Sequence, residues 1–195
     1  LSMADELLTE ILNTVNTGFD ALTQLHYRNL HCWVKFYLGK TDTLEKELQD
    51  LLADADQLGN EIIVAEILAN MCRVQHYFGN NDAALKTSDR GLEITRRYHQ
   101  NHLITNMHIV RGFVYQSVGD IEASKLEFNQ AMEESKSDNH QVSINGSAIH
   151  LAIIEGYSGN KEKGFRMAKA VIDTINHAGH RFLFLQSLFF YYSLC

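Results

Sequence analysis

The stretch YFGNNDAALKTSDRG, residues 77–91, contains the turn that decides the architecture of this chain. The run GNND at 79–82 interrupts the segment before it, and the run AAL at 83–85 opens a new apolar segment. Glycine adopts the left-handed conformation that ends a helix at little cost. An aspartate just after it is favourable at a helix N-terminus. The stretch therefore predicts the end of one helix and the start of the next.

The same turn recurs along the chain with a period of 40 residues. The chain has 12 glycines in 195 residues, so four at one fixed spacing indicate an internal repeat. A second series lies halfway between them, and three of its four members are glycine or asparagine, which tolerate the left-handed conformation. The first series is Gly39, Gly79, Gly119 and Gly159, and the second is Gly59, His99, Asn139 and Gly179.

The segments between these turns are predicted to be helices. The chain contains no proline, which would break helix interiors, and apolar residues recur at helical spacing between the turns. About ten helices are expected: one over 4–17, four antiparallel pairs over 20–57, 60–97, 101–137 and 140–177, and an unpaired helix over 180–195. Since one pair cannot bury both faces, the predicted fold is all-α, with the pairs stacked as a right-handed α-solenoid.

Small residues recur where the helices of a pair would meet. Seven residues before the first-series glycines stand Cys32, Cys72, Gly112 and Ala152, and five residues after them stand Ala84, Ser124 and Gly164, with Leu44 as the exception. The best copy of the pattern is Gly112-x-x-Tyr115, then Gly119-Asp120, then Ser124-x-x-x-Phe128-x-x-Ala131.

This pattern resembles the tetratricopeptide repeat (TPR), whose motif reads G-x-x-Y, G-D, A-x-x-x-F-x-x-A. The chain is thus similar to a TPR-like array with units at about 20–59, 60–99, 100–139 and 140–179 and partial units at both ends. A single domain over 1–195 is expected, as a fragment of a longer protein.

The resemblance implies binding of a protein or peptide segment. Such arrays occur in sensor domains of bacterial regulators, in peptide-pheromone receptors and in cell-polarity scaffolds. The predicted function is an interaction module that forms the sensory or regulatory part of a larger signalling or transcription-regulatory protein. A stand-alone scaffold or a peptide-pheromone receptor array is the alternative, and an enzyme is a remote one.

The resemblance also implies a binding groove lined by the first helix of each pair. Polar candidates could hold a carboxylate or a peptide backbone, and aromatic candidates could form apolar pockets. Alternatively, the tyrosines two residues before each turn only pack on the next unit. The polar candidates are Asn29, Arg73, His76 and Asn106, with His108 as a further inward-facing histidine, and the aromatic ones are Trp33, Tyr37, Tyr77 and Phe113.

Composition and motif searches predict what the chain does not bind. A formal net charge of −7 argues against a nucleic-acid partner. No apolar run reaches membrane-spanning length, no secretory signal is visible, and three cysteines fit a reducing compartment, so a cytoplasmic protein that binds no membrane is expected. Zinc-protease, Cys-x-x-Cys and phosphate-loop motifs are absent from the sequence. No metal, no cofactor and no enzyme activity are predicted.

The C-terminal stretch 182–195 predicts self-association. Its apolar residues cover nearly the whole circumference of the expected helix, so more than one side must be covered. The preceding pair can cover only one side, and a homodimer through this helix is expected. The apolar residues singled out are Phe182, Leu185, Phe189 and Tyr192.

Overall fold

The fold was analysed in a computed structural model, which describes residues 3, 6–7, 9–11, 19–137 and 139–175. Eight complete helices lie within these residues: α1 (Ala21–Tyr37), α2 (Leu44–Leu58), α3 (Glu61–Tyr77), α4 (Asn81–Arg97), α5 (Asn101–Ser117), α6 (Ile121–Ser137), α7 (Gln141–Tyr157) and α8 (Lys161–Ile175). Residues 3, 6–7 and 9–11 are also helical, and no strand occurs in the described part. The four predicted helix pairs are confirmed, whereas the predicted helix over 180–195 lies outside the described residues.

The left-handed turns predicted from the glycine period are present. All four glycines of the first series have φ between 73° and 93°, and Gly59 and Asn139 of the second series also have positive φ. At Gly79 the turn closes with two backbone bonds, from Gly79 N to His76 O (2.9 Å) and from Asn80 N to Gln75 O (2.8 Å). This pair of bonds is the Schellman arrangement that satisfies the last carbonyls of a helix.

The second series differs from expectation at His99. A histidine was not expected to take the left-handed conformation, yet His99 has a φ of 53° and makes the same closing bonds. Because the helices on both sides must reverse direction here, the packing imposes a backbone angle that the residue type does not favour.

Some, but not all, of the aspartates that follow the turns lie where a helix begins. Asp120 behaves as predicted, since its Oδ1 accepts a bond from Ala123 N at the start of α6 (3.1 Å). Asp42 follows Gly39 by three residues, as Asp82 follows Gly79, but it does not begin a helix, because α2 starts two residues later, at Leu44, after Thr43. The loop between α1 and α2 is therefore longer than those after Gly79 and Gly119.

The chain divides into two compact units, Leu1–Leu103 and Ile104–Cys195. In the first unit α1 packs on α2 and α3, and α3 packs on α2 and α4; in the second, α7 packs on α6 and α8. The prediction of a single domain stays a prediction. Fully buried side chains fill each core: Leu44, Leu48, Leu51, Ile63, Ile67 and Leu68 in the first unit, and Met107, Phe128, Ile149 and Ile175 in the second.

The small residues predicted at the helix contacts are buried. Gly112 lies against the ring of Phe128, and a Cβ built on it would approach Phe128 Cζ to 2.8 Å. A Cβ on Gly164 would approach the Ala152 carbonyl oxygen to 2.7 Å. Both glycines therefore permit an approach that any side chain would prevent.

Two polar groups of α7 are buried without a hydrogen-bond partner among the described residues, the Ser147 hydroxyl and the Asn145 Nδ2 group. Burying a hydroxyl without a partner is unfavourable.

We therefore expect Ser147→Ala to raise the free energy of unfolding by about 1 kcal/mol, measured by urea denaturation. The matched control is Ser124→Ala, because the Ser124 hydroxyl donates to the Gly112 carbonyl at 2.8 Å and its loss should destabilise. Destabilisation by both changes would contradict the prediction.

Candidate functional site

Six of the eight predicted groove residues lie in the first unit, on α1 and α3, whose surfaces meet directly. They separate into a polar group and an aromatic group. The polar group is Asn29, Arg73 and His76, and the aromatic group is Trp33, Tyr37 and Tyr77.

The polar group is joined by a residue that the sequence did not single out. Asn70 donates from Nδ2 to Asn29 Oδ1 (2.9 Å) and accepts at Oδ1 from Arg73 Nη1 (3.2 Å). Asn29 is only 7% exposed, so its amide ties α1 to α3 and is not presented to a ligand. Arg73 is half-buried and stays at the surface.

His76 lies beside the turn after α3. Its Nδ1 is 3.0 Å from Asn81 Oδ1, which connects it to the first residue of α4. At the other end of this face, His26 Nδ1 lies 3.0 Å from Glu66 Oε2. The carboxylate of Glu66 is thus two helical turns from Arg73 along α3.

The aromatic group is part of a larger surface, which we call the aromatic cluster: Trp33, Phe36, Tyr37, Tyr77 and Phe78. Its ring centroids are 4.6 Å apart for Trp33 and Tyr37, 5.4 Å for Phe36 and Tyr37, 5.5 Å for Phe36 and Tyr77, and 5.3 Å for Tyr77 and Phe78. The contact between Phe36 and Tyr77 crosses from α1 to α3. Trp33, Tyr37, Tyr77 and Phe78 are 37–60% exposed, so four rings of one continuous cluster face solvent.

The other two predicted groove residues, Asn106 and Phe113, lie on α5 in the second unit and are half-buried. The ring of Phe113 packs edge-on against those of Phe128 and His150, with centroids 5.4 Å and 4.6 Å away. Phe113 therefore packs at the edge of the hydrophobic core and does not line an open pocket. Burial lowers the pKa of His150 to about 4, so its ring is neutral where it stacks on Phe128.

His108 does not face a groove. It is buried between α5 and α6, where its Nδ1 lies 2.6 Å from Glu127 Oε2, and Arg111 Nε donates to Glu127 Oε1 at 2.8 Å. Burial alone would raise the pKa of the Glu127 carboxyl, but the bonds from His108 and Arg111 outweigh it and hold the pKa below the usual value. These three side chains form a buried hydrogen-bonded cluster, which joins α5 and α6.

A cavity of about 240 Å³ lies between α1 and α2. Two of its charged lining residues already have partners: Arg28 donates to Asp54 (2.7 Å), and Glu47 accepts two bonds from Lys35 (2.8 Å each). Burial raises the pKa of the Cys32 thiol to about 12, which keeps it protonated and unreactive. The cavity therefore has no feature of a reactive site.

Within the described ranges, no group of three or more histidine, cysteine or acidic side chains is arranged to hold a metal ion. None of the helices described is long and apolar enough to cross a membrane. The absence of metal, cofactor and enzyme activity stays a prediction. The self-association residues Phe182, Leu185, Phe189 and Tyr192 lie outside the described residues, so the dimer also stays a prediction.

No protein-family model matches the chain, and no curated protein matches it. Solved structures do. BtubC (BKLC) from P. vanneervenii matches with a TM-score of 0.74 and 10% identity over 99% of this chain and 79% of its own. A signal-transduction ATPase with numerous domains (STAND) from Pyrococcus horikoshii, which carries a tetratricopeptide repeat sensor, matches with a TM-score of 0.77 and 14% identity. The apo form of RapI matches with a TM-score of 0.72 and 16% identity.

These matches extend over different shares of the solved chains. The STAND match covers 94% of this chain but 28% of the STAND protein, and the RapI match covers all of this chain but 54% of RapI. The chain thus spans about a quarter and about half of these two proteins. The matches show the predicted fold class, an all-α TPR-like helical array.

Proposed function

We propose that the chain is a protein-interaction module that binds a segment of another protein on the face formed by α1 and α3. The observation that carries the proposal is the aromatic cluster, in which four exposed rings of two neighbouring repeats lie in continuous contact. Large contiguous apolar patches are uncommon on soluble monomers and mark interaction sites. Tyrosine and tryptophan are enriched among the residues that dominate binding energies.

We further propose that this module is the sensory or regulatory part of a larger signalling or transcription-regulatory protein. The support is the likeness to a STAND protein with a tetratricopeptide repeat sensor, of which this chain matches 28%. A cytoplasmic location is part of the proposal.

Site-specific photo-crosslinking tests the binding face. Benzoylphenylalanine is placed at Tyr77, which is 60% exposed within the aromatic cluster, and as a control at Lys86, which is exposed on α4. Irradiation in extracts of the source cells should link a discrete protein at position 77 and none at position 86. Crosslinks from Lys86 alone would place the binding surface on another face and overturn the proposal.

Arg73 is the cation that α3 contributes to this face, and its removal is expected to weaken capture. We expect Arg73→Ala to reduce retention of the crosslinked partner at least tenfold, since a charged hydrogen bond contributes about 1.5–3 kcal/mol. Arg28→Ala is the control, because Arg28 is bonded to Asp54 of α2. Both variants should keep a helical circular dichroism spectrum. Undiminished capture by the Arg73 variant would remove Arg73 from the site.

A further inference from the structure

The rings of the aromatic cluster stand nearly perpendicular to one another. The interplanar angles are 90° for Phe36 and Tyr37, 81° for Phe36 and Tyr77, and 79° for Tyr77 and Phe78, and Trp33 is tilted by 51° against Tyr37. Exposed aromatic side chains that lie together on one surface are the feature by which several kinds of domain bind polyproline II segments.

Three rings of the aromatic cluster also carry a hydrogen-bond donor. Among the described residues, no hydrogen bond uses the Trp33 indole N–H or the hydroxyls of Tyr37 and Tyr77. A proline-rich segment presents carbonyl oxygens and few N–H groups. The described residues contain no strand, so this surface has no sheet edge on which an extended segment could pair its N–H groups. The Trp33 indole N–H and the two tyrosine hydroxyls can therefore donate to the carbonyl oxygens of such a ligand.

The charge close to the rings differs in sign from that of the whole chain. The formal net charge is −7, yet α1 contains no aspartate or glutamate, and α3 contains none after Glu66. Lys35 is directed to Glu47 of α2. Arg73, one helical turn before Tyr77, is a permanent cation close to the rings. Charge complementarity favours an acidic residue in the ligand.

These 195 residues contain no proline, so neither they nor a second copy of them can supply a proline-rich segment. We propose that the aromatic cluster and Arg73 bind a proline-rich segment of another protein that carries a neighbouring acidic residue. This inference rests on the proposed function and specifies the chemistry of the partner.

The chain contains one tryptophan, Trp33, which lies in the cluster and makes direct titration possible. Three synthetic peptides without tryptophan serve as probes: a proline-rich peptide with two glutamates, the same peptide with alanine for each proline, and the same peptide with lysine for each glutamate. We expect the first to change the Trp33 emission saturably. The alanine and lysine peptides should each bind about tenfold more weakly, because each lacks one matched feature.

Variants locate the binding. We expect Tyr77→Ala to lower the affinity for the acidic proline-rich peptide about tenfold, as is typical for the loss of a central aromatic contact. Tyr157→Ala is the matched control, since Tyr157 occupies the equivalent position two repeats later and is 77% exposed, and it should bind as the parent does. Anisotropy of a labelled peptide measures both variants.

Each result of these binding measurements either supports the inference or overturns part of it. Equal binding of the alanine peptide would overturn the polyproline assignment, and equal binding of the lysine peptide would overturn the charge assignment. If no probe binds while Tyr77 still crosslinks a partner, this inference is wrong and the proposed function stands. If neither probes nor crosslinks are found at the cluster, both fail.

Discussion

Glu127→Ala is expected to lower the free energy of unfolding by about 3–5 kcal/mol, since it would leave the buried side chains of Arg111 and His108 without the carboxylate that both contact. The side chains of His108, Glu127 and Arg111 are only 4%, 8% and 14% exposed, and both partners contact Glu127 within 2.8 Å. Urea denaturation followed by circular dichroism measures the loss.

An exposed ion pair on the same helix provides the control. Glu133 lies 2.6 Å from Lys136, but their side chains are 67% and 52% exposed. Since exposed pairs contribute about 0–1 kcal/mol, Glu133→Ala should leave the denaturation midpoint nearly unchanged. Equal effects of the two changes would show that the buried cluster contributes no more than a surface pair.

The buried Glu127 carboxylate also determines the direction in which folding stability changes with pH. The folded pKa of Glu127 lies below its unfolded value, so the unfolded chain binds more protons as the pH falls below about 4.5. The stabilisation is therefore present above the unfolded pKa and is lost as the pH falls through the folded pKa. In Glu127→Ala this component of the acid sensitivity should disappear.

Gly112→Leu is expected to cost about 1–3 kcal/mol through overpacking. The first carbon of any side chain would lie 2.8 Å from Phe128 Cζ, and Phe128 is fully buried and cannot move aside freely. A thermal or urea melt measures the loss. Asn129→Leu adds a leucine at an exposed position of α6 and should stay within about 0.5 kcal/mol of the parent. A Gly112 variant as stable as the parent would contradict the close contact.

A second change tests the cause. One repeat earlier, the equivalent positions hold Cys72 and Ser88 instead of Gly112 and Phe128. If overpacking is responsible, Gly112→Cys should cost less when it is combined with Phe128→Ser than the two single losses add up to. Additive losses would locate the damage elsewhere.

The helices were predictable because their ends depend on local signals. A glycine in the left-handed conformation and the two backbone bonds of each Schellman turn lie within six consecutive residues. His99 shows the limit: its left-handed backbone follows from where its neighbouring helices must lie, and a histidine carries no local sign of that.

The sequence predicted which positions belong to the candidate site, but it did not predict which side chains contact one another there. Repeat spacing placed Trp33, Arg73 and Phe113 at equivalent positions, but each packs differently because the neighbouring helices differ. Asn70 and Phe36 were missed since their roles depend on partners in another repeat, at 41 residues' separation for Asn70 and Asn29. Pairwise contacts across repeats carry no signal in a single sequence.

The complementary sizes of Gly112 and Phe128 have a consequence for how such a chain can evolve. The two residues belong to the two helices of one pair, 16 positions apart, and the corresponding residues are Cys72 and Ser88 in one other pair and Ala152 and Ala168 in another. Exchange of a single helix between repeats would bring a cysteine against a phenylalanine or a glycine against a serine, and so create a clash or a void. Duplication or recombination of whole pairs keeps matched residues together. The inherited module is therefore the two-helix unit, and a gene rearrangement that breaks inside it would be removed by selection for folding.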